Sequence, residues 1–245
     1  MIATNHFIFV HMFRSGGTTV NNFLSEHFEG KMIGYHRPRK MIPASLQHLP
    51  VLGTIRNPWD WYVSVYHHAI NFGYPKGAST FLNWLLDFEK LDFKNTIPYL
   101  LRIKDIPQKE KVLAYFPNTY DWKSIKIDNL TKSDCEKYLT SSYGFWSWLI
   151  EHMYCVDEKL ADVSWCKTNS LDEFHLLLEK FNTNKEAKNK PITNHLNSMT
   201  GHNSYLQKNV PVPRKKDYRE YYDDETRNWV YEKDRKYIDY FGFEF

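Results

Sequence analysis

No run of eighteen apolar residues occurs in the chain, which removes a membrane-spanning helix from the expectations. Cysteine is scarce: Cys135, Cys155 and Cys166 are odd in number and form no CxxC pair, so neither a disulfide framework nor a thiolate metal site is indicated. That usage fits a reducing, cytoplasmic compartment. The opening residues, MIATNHFIFVHMF, agree with it, because they show no basic n-region and no small-residue cleavage pattern. A strong charge of one sign is also missing. The net charge of +3 suits anionic ligands in general but falls short of what a dedicated nucleic-acid binder carries. Two familiar nucleotide signatures are absent as well. No glycine stands five residues before Gly16 or Gly17, no lysine follows either one, and no GxGxxG occurs in the opening loop.

Aromatic residues are plentiful at 17%, which points to large core contacts. At 245 residues the chain is read as one domain, 1–245, with an insertion or lid over 72–160 and a loop over 182–217 that closes near the ligand. Phe7 to Val10, Met32 to Tyr35 and Val51 to Ile55 are short apolar runs of the kind that form buried strands, and Val163 to Thr168 is a fourth. Helical spacing follows the first run, in Val20, Phe23, Leu24 and Phe28. It follows the third run too, where Asn57 is placed to cap a helix beginning at Pro58. That helix is expected to turn Asp60, Ser64 and His67 away from its apolar face. Further helices are expected over 80–91 and 145–154, after a capping box at Ser170 to Glu173, and after Asp223-Asp224 with Gly242 at the end. Alternating strands and helices predict an α/β protein with a central parallel sheet flanked by helices, binding its ligand beyond the carboxyl ends of the strands. His11 to Thr19, His36 and Arg56 all fall at such ends.

The stretch HMFRSGGTT, residues 11–19, sits between the first strand and its helix. A glycine pair there lets backbone N–H groups come close to an anion, and the helix N-terminus adds favourable partial charge. Arg14, Thr18 and Thr19 supply side-chain donors. A tight turn is the plainer account of two glycines alone, but the strand before, the helix after and the nearby arginine favour an anion loop.

This stretch resembles the HxPK[TS]GGT[ST] loop of sulfotransferases that use 3′-phosphoadenosine 5′-phosphosulfate (PAPS). TIRNPWDWYVSVYHH, residues 54–68, is similar to the second motif of that family, an Arg followed eight residues later by a Ser. The ending, residues 221–245, resembles its C-terminal helix. The resemblance implies a three-layer, P-loop-like fold and transfer of a sulfuryl group from PAPS to a hydroxyl, with a carbohydrate as the expected acceptor and a polyketide, phenol or lipid alcohol as alternatives. It further implies that Arg14, Ser15, Gly16, Gly17, Thr18 and Thr19 hold the 5′-phosphosulfate and that Arg56 and Ser64 hold the 3′-phosphate. Arg14 stands where Lys is more common, and its planar fork can engage two oxygens at once.

The chemistry asks for positioned charge and requires no metal, so Arg14 is expected to stabilise the leaving phosphate. An acceptor hydroxyl needs a base, and His36 is the expected one, with His11 and His67 behind it. Arg37 and Arg39 could meet an acidic acceptor, although a solvated basic turn is the simpler reading. Trp146 and Trp148 could stack on sugars but sit in an apolar helix. Arg214 to Lys216 could close over the nucleotide. Neither nucleic acid nor membrane is expected as a partner. The competing expectation is a small-molecule kinase, weakened by the missing lysine and by the want of a magnesium-binding carboxylate after a strand.

Overall fold

The computed structural model describes residues 1–72, 92–102, 105, 110, 113–120, 130–157, 159–181 and 216–245. The helix expected over 80–91, most of the 182–217 loop, and Arg214 and Lys215 lie outside the described residues. Among those described, no helix is long and apolar enough to cross a membrane. The chain divides into two compact units, Met1–Arg56 with Glu151–Lys208 and Asn57–Ile150 with Asn209–Phe245.

The first unit is built on a five-stranded sheet in the order β3-β1-β2-β4-β7. Its strands are β1 (Ile2–Ala3), β2 (Ile8–Val10), β3 (Lys31–Met32), β4 (Val51–Ile55) and β7 (Ser164–Lys167), while β5 (Cys155–Val156) and β6 (Lys159–Leu160) pair with each other in a separate antiparallel hairpin. The pairings β2–β4 and β4–β7 are parallel, whereas β1 runs antiparallel to both β2 and β3. The sheet is therefore mixed, not parallel throughout. The second expected strand, 32–35, is reduced to Lys31–Met32 at the sheet edge, with both residues exposed. Its apolar run gives way at Gly34, where the side chain of Arg37 packs so closely that an added Cβ would lie 2.2 Å from Cδ. Two reversals restore the direction: β3 is antiparallel to β1 and β1 to β2, so β2, β3, β4 and β7 all end on one edge of the sheet.

Continuous apolar runs in β2 and β4 are buried at every position, as expected for strands covered on both faces. Helix α1 (Gly17–His27) lays Val20, Phe23 and Leu24 against Phe7, Phe9 and Leu52, and α6 (Phe174–Glu179) adds Phe174 and Leu178 to the same core. Each buried phenylalanine there contributes about 2–3 kcal/mol by removal from water. Entry to α6 differs from expectation. No capping box forms at Ser170; a 3₁₀ segment, Thr168–Glu173, occupies that stretch with a kink at Ser170, and Glu173 caps α6 without a side-chain bond. The segment is held back toward the sheet because Thr168 Oγ1 donates to the Ile55 carbonyl at 3.1 Å.

The second unit is helical. Helix α2 (Pro58–Phe72) starts as expected, with Asn57 Oδ1 accepting from the Trp59 N–H at 3.1 Å. Of its expected polar positions only Ser64 is buried, whereas Asp60 and His67 are half-buried; on the apolar side Trp61 packs against Phe145. Helix α3 (Phe93–Leu101) is capped by Asp92, and α4 (Lys132–Thr140) by a Thr131/Asp134 capping box. The last helix, α7 (Asp224–Phe241), is capped by Asp223 and ended by Gly242 at φ 61°, as its sequence predicts. Trp146 and Trp148, on α5 (Phe145–Tyr154), are core residues: Trp146 packs on Phe241 and Phe243, and Trp148 on Tyr138 and Phe145.

A fully buried carboxylate organises this unit. Asp234, on α7, accepts from the Ser147 N–H at the start of α5 and from the Tyr62 hydroxyl on α2, both at 2.8 Å, while the Trp146 N–H donates to that hydroxyl at 3.1 Å. Gly144 is required beside it, since a Cβ there would stand 2.6 Å from the carboxylate oxygens. Burial pushes the Asp234 carboxyl up from 3.8 to about 6. Asp234→Ala should cost about 3 kcal/mol, because two buried donors lose their acceptor. Raised above its unfolded value, the native carboxyl favours folding most below pH 4, and that contribution is lost as pH rises through 6. Denaturant melts should therefore show the wild type losing about 3 kcal/mol relative to Asp234→Asn between pH 4 and 7.

Candidate anion site

The loop from His11 to Gly16 joins the end of β2 to the start of α1, and its backbone is bent into an uncommon shape. Arg14 has φ 59° and Gly16 φ 76°, both in the left-handed region. Glycine adopts that conformation freely; arginine does so at a cost of about 1–2 kcal/mol that neighbouring contacts must offset. One such contact comes from Arg56, whose Nη1 donates to the Arg14 carbonyl at 3.2 Å. The arginine that ends β4 thus braces the loop that follows β2.

Gly17 answers a different need. The His11 imidazole lies directly on its Cα, so that a Cβ at position 17 would come within 1.8 Å of His11 Cδ2. No side chain caps α1 and no acidic residue stands in its first turn, which leaves the N–H groups at its start and their partial positive charge to whatever occupies the space in front.

That space is a cavity of about 610 Å³. His11, Arg14 and residues 16–19 line it from the loop and helix, Arg56 from the end of β4, and Thr168, Asn169, Leu171 and Asp172 from the segment after β7. Two guanidinium groups face one carboxylate. Beneath the loop, Ser15 is fully buried, and its Oγ has no hydrogen-bond partner among the described residues.

Of the residues expected to hold the ligand, Arg14, Gly16, Gly17, Thr18, Thr19 and Arg56 are brought together on one cavity wall. Ser15 lies under that wall, and Ser64 is buried in the second unit. His36, the expected base, is 2% exposed and is not part of the lining. Its Nδ1–H donates to the His11 carbonyl at 3.1 Å, and its ring centroid is 4.1 Å from that of His11. His11 is the histidine on the wall itself, while His67 packs edge-on against Tyr221 in the second unit. Arg37 and Arg39 do not form a solvated basic turn. Arg37 is 1% exposed and Arg39 donates to the Asp162 carbonyl at 2.6 Å, so neither lines the cavity. Lys216 is exposed.

Three contributors had gone unread in the sequence. Tyr35 is hydrogen-bonded to the Thr18 side chain and faces Arg14, and burial raises its phenol pKa. Its ring meets those of His11 and His36 at 5.3 and 4.3 Å. Asn21, a buried amide next to Val20 on α1, reaches His11 Nδ1 at 3.0 Å. Residues 168–172 follow a parallel strand, and the strand-end rule that singled out Arg56 applies to them equally.

No protein-family model matches the chain, and no curated protein and no solved structure matches it either. The cavity's own chemistry is what remains to be read: backbone N–H groups, hydroxyls and two guanidiniums converge on one volume, a donor set for a multiply charged oxyanion. Gly17→Ala should drive a methyl group into the His11 ring. Thermal melts should register a loss of about 1–3 kcal/mol, and titration with inorganic pyrophosphate should show the anion site weakened with it.

Proposed function

We propose that this chain is a PAPS-dependent sulfotransferase acting on a hydroxyl acceptor, with a carbohydrate as the expected class. The observation that carries the reading is the meeting of Arg14, the start of α1 and Arg56 on one cavity at the carboxyl edge of the sheet. These are the groups that the loop resemblance assigns to the nucleotide. In this reading Arg14 and the N–H groups from Ser15 to Thr18 hold the 5′-phosphate oxygens. As the acceptor oxygen bonds to sulfur, the bond from sulfur to the bridging oxygen breaks. The electron pair stays on the departing 3′-phosphoadenosine 5′-phosphate (PAP), where the cationic wall stabilises it. The base role expected from sequence falls to His36, which stands behind the cavity wall with its ring 4.1 Å from that of His11 and its Nδ1–H committed to the His11 carbonyl, so that its Nε2 carries the lone pair. Of the pair that the resemblance gives to the 3′-phosphate, Arg56 lines the cavity and is the residue this reading assigns to it.

Asp172 favours a second reading. It is the one carboxylate among the lining residues, placed after a strand beside the phosphate loop, and a carboxylate there could hold the magnesium of a nucleoside triphosphate. The small-molecule kinase therefore stays in contention.

Calorimetric titration with PAP, together with radiolabelled PAPS and a panel of sugar, phenol and lipid alcohols, tests the proposal. Tight PAP binding, sulfuryl transfer without added magnesium, and a loss of PAP affinity of roughly tenfold to a hundredfold in Arg56→Ala are the expected results. Indifference of PAP binding to that change would sink the assignment, and magnesium-dependent ATP turnover would favour the kinase. Arg14→Ala should lower transfer by at least about tenfold.

A further inference from the structure

We infer that His11 is a neutral hydrogen-bond donor, through Nε2–H, to the anion bound at the start of α1, and that Asn21 is the positioning residue that fixes this tautomer. The inference rests on the reading of the cavity as a nucleotide phosphate site and assigns a role within it.

The tautomer follows from the partner. Asn21 Nδ2 stands 3.0 Å from His11 Nδ1, and a carboxamide nitrogen can only donate. In this amide orientation, which leaves Asn21 Oδ1 buried without a hydrogen-bond partner among the described residues, Nδ1 is the acceptor and the single proton of a neutral ring sits on Nε2. The Cδ2–Nε2 edge of the ring lies against the helix start, Cδ2 1.8 Å and Nε2 2.2 Å from the position a Cβ on Gly17 would take. His11 is only 2% exposed, yet it lines the cavity, and Nε2 makes no hydrogen bond among the described residues. The ring edge that carries Nε2 thus borders the cavity beside the first N–H groups of α1.

The ring is also held neutral. Burial, and after it the charge of His36, keep the His11 pKa well below 6.5. The groups facing it are Asn21 from α1, Tyr35 and His36 from the segment after β3, and Arg14, Arg56 and Asp172 around the cavity. Nearby guanidiniums only reinforce neutrality. A neutral donor strengthens the grip on an anion without a proton that pH can remove.

The two adjacent histidines therefore carry opposite hydrogen-bonding polarity. His36 spends its Nδ1–H on the His11 carbonyl and keeps a lone pair on Nε2, whereas His11 accepts at Nδ1 and keeps a proton on Nε2. One is arranged to give a hydrogen bond and the other to take a proton, and the backbone carbonyl of the first sets the second.

Long-range ¹H–¹⁵N correlation spectra of the full-length wild type, with PAP and ADP titrations of the wild type, His11→Gln and Asn21→Asp, test this. The expected spectrum shows a pyridine-like Nδ1 and a pyrrole-like Nε2 for His11, with no titration between pH 6 and 8 and a shift of the Nε2 signals when PAP is added. His11→Gln should weaken PAP roughly tenfold or more, and the ratio of wild-type to variant affinity should stay flat across that pH range. Asn21→Asp should turn the ring over to Nδ1–H and lower affinity similarly, a change that a purely structural role for Asn21 would not produce in the spectrum. A wild-type His11 protonated on Nδ1, or equal affinities in wild type and His11→Gln, would overturn the inference whichever nucleotide binds. Binding of ADP but not PAP, still weakened in His11→Gln, would overturn the sulfotransferase reading and leave the role of His11 standing. No binding of either nucleotide would overturn both.

Discussion

The contact between the His11 imidazole and the Cα of Gly17 is the constraint on which the site depends. It joins the residue that leaves β2 to the residue that begins α1, so the five residues between them are closed off by a ring edge packed on a backbone. With the ends fixed, the intervening chain has little freedom left, and its two left-handed residues, Arg14 and Gly16, make the required reversals. The Arg56 bond to the Arg14 carbonyl then ties this closed loop to the neighbouring strand. Geometry passes from strand to ring to helix with no flexible link at the point where a ligand must be gripped.

Helix N-termini are treated in two opposite ways in this molecule. At the start of α5 the partial positive charge is met internally by Asp234, a buried carboxylate from α7 whose ionisation is suppressed by its surroundings. At the start of α1 no acidic side chain is supplied, and the nearest titratable ring, His11, is kept uncharged. The first arrangement satisfies a helix for stability. The second leaves a helix start without a side-chain cap on the cavity wall.

Much of this was readable before any coordinates. Buried runs gave β2 and β4, Asn57 and Pro58 marked the start of α2, Asp223 and Gly242 bracketed α7, and the glycine pair marked the turn from β2 into α1. What escaped was whatever depended on contacts far apart in sequence. A two-residue strand such as β1 has no periodicity to detect, so the sheet was taken as wholly parallel. Ser64 looked solvated because helical spacing reports the strongest apolar stripe and says nothing of a helix enclosed on the remaining sides. The Ser170 capping box failed because Thr168 is anchored to Ile55, a bond across more than a hundred residues. Asn21 was passed over as one polar residue on an apolar face, although a buried amide in that position needs a partner and the partner names the role.

The short outer strand of the sheet has a consequence for how copies of this molecule meet one another. β3 offers only Lys31 and Met32 at that edge, both facing solvent, and the chain turns away at once through Gly34. A neighbouring molecule seeking to extend the sheet there finds two residues of ladder and a lysine that must lose water to be paired. The long apolar strands, β2 and β4, each have a strand on both sides and present no free edge. At concentrations where an exposed apolar edge would seed aggregation, this side of the sheet is self-limiting, a colloidal property set by the brevity of a single strand.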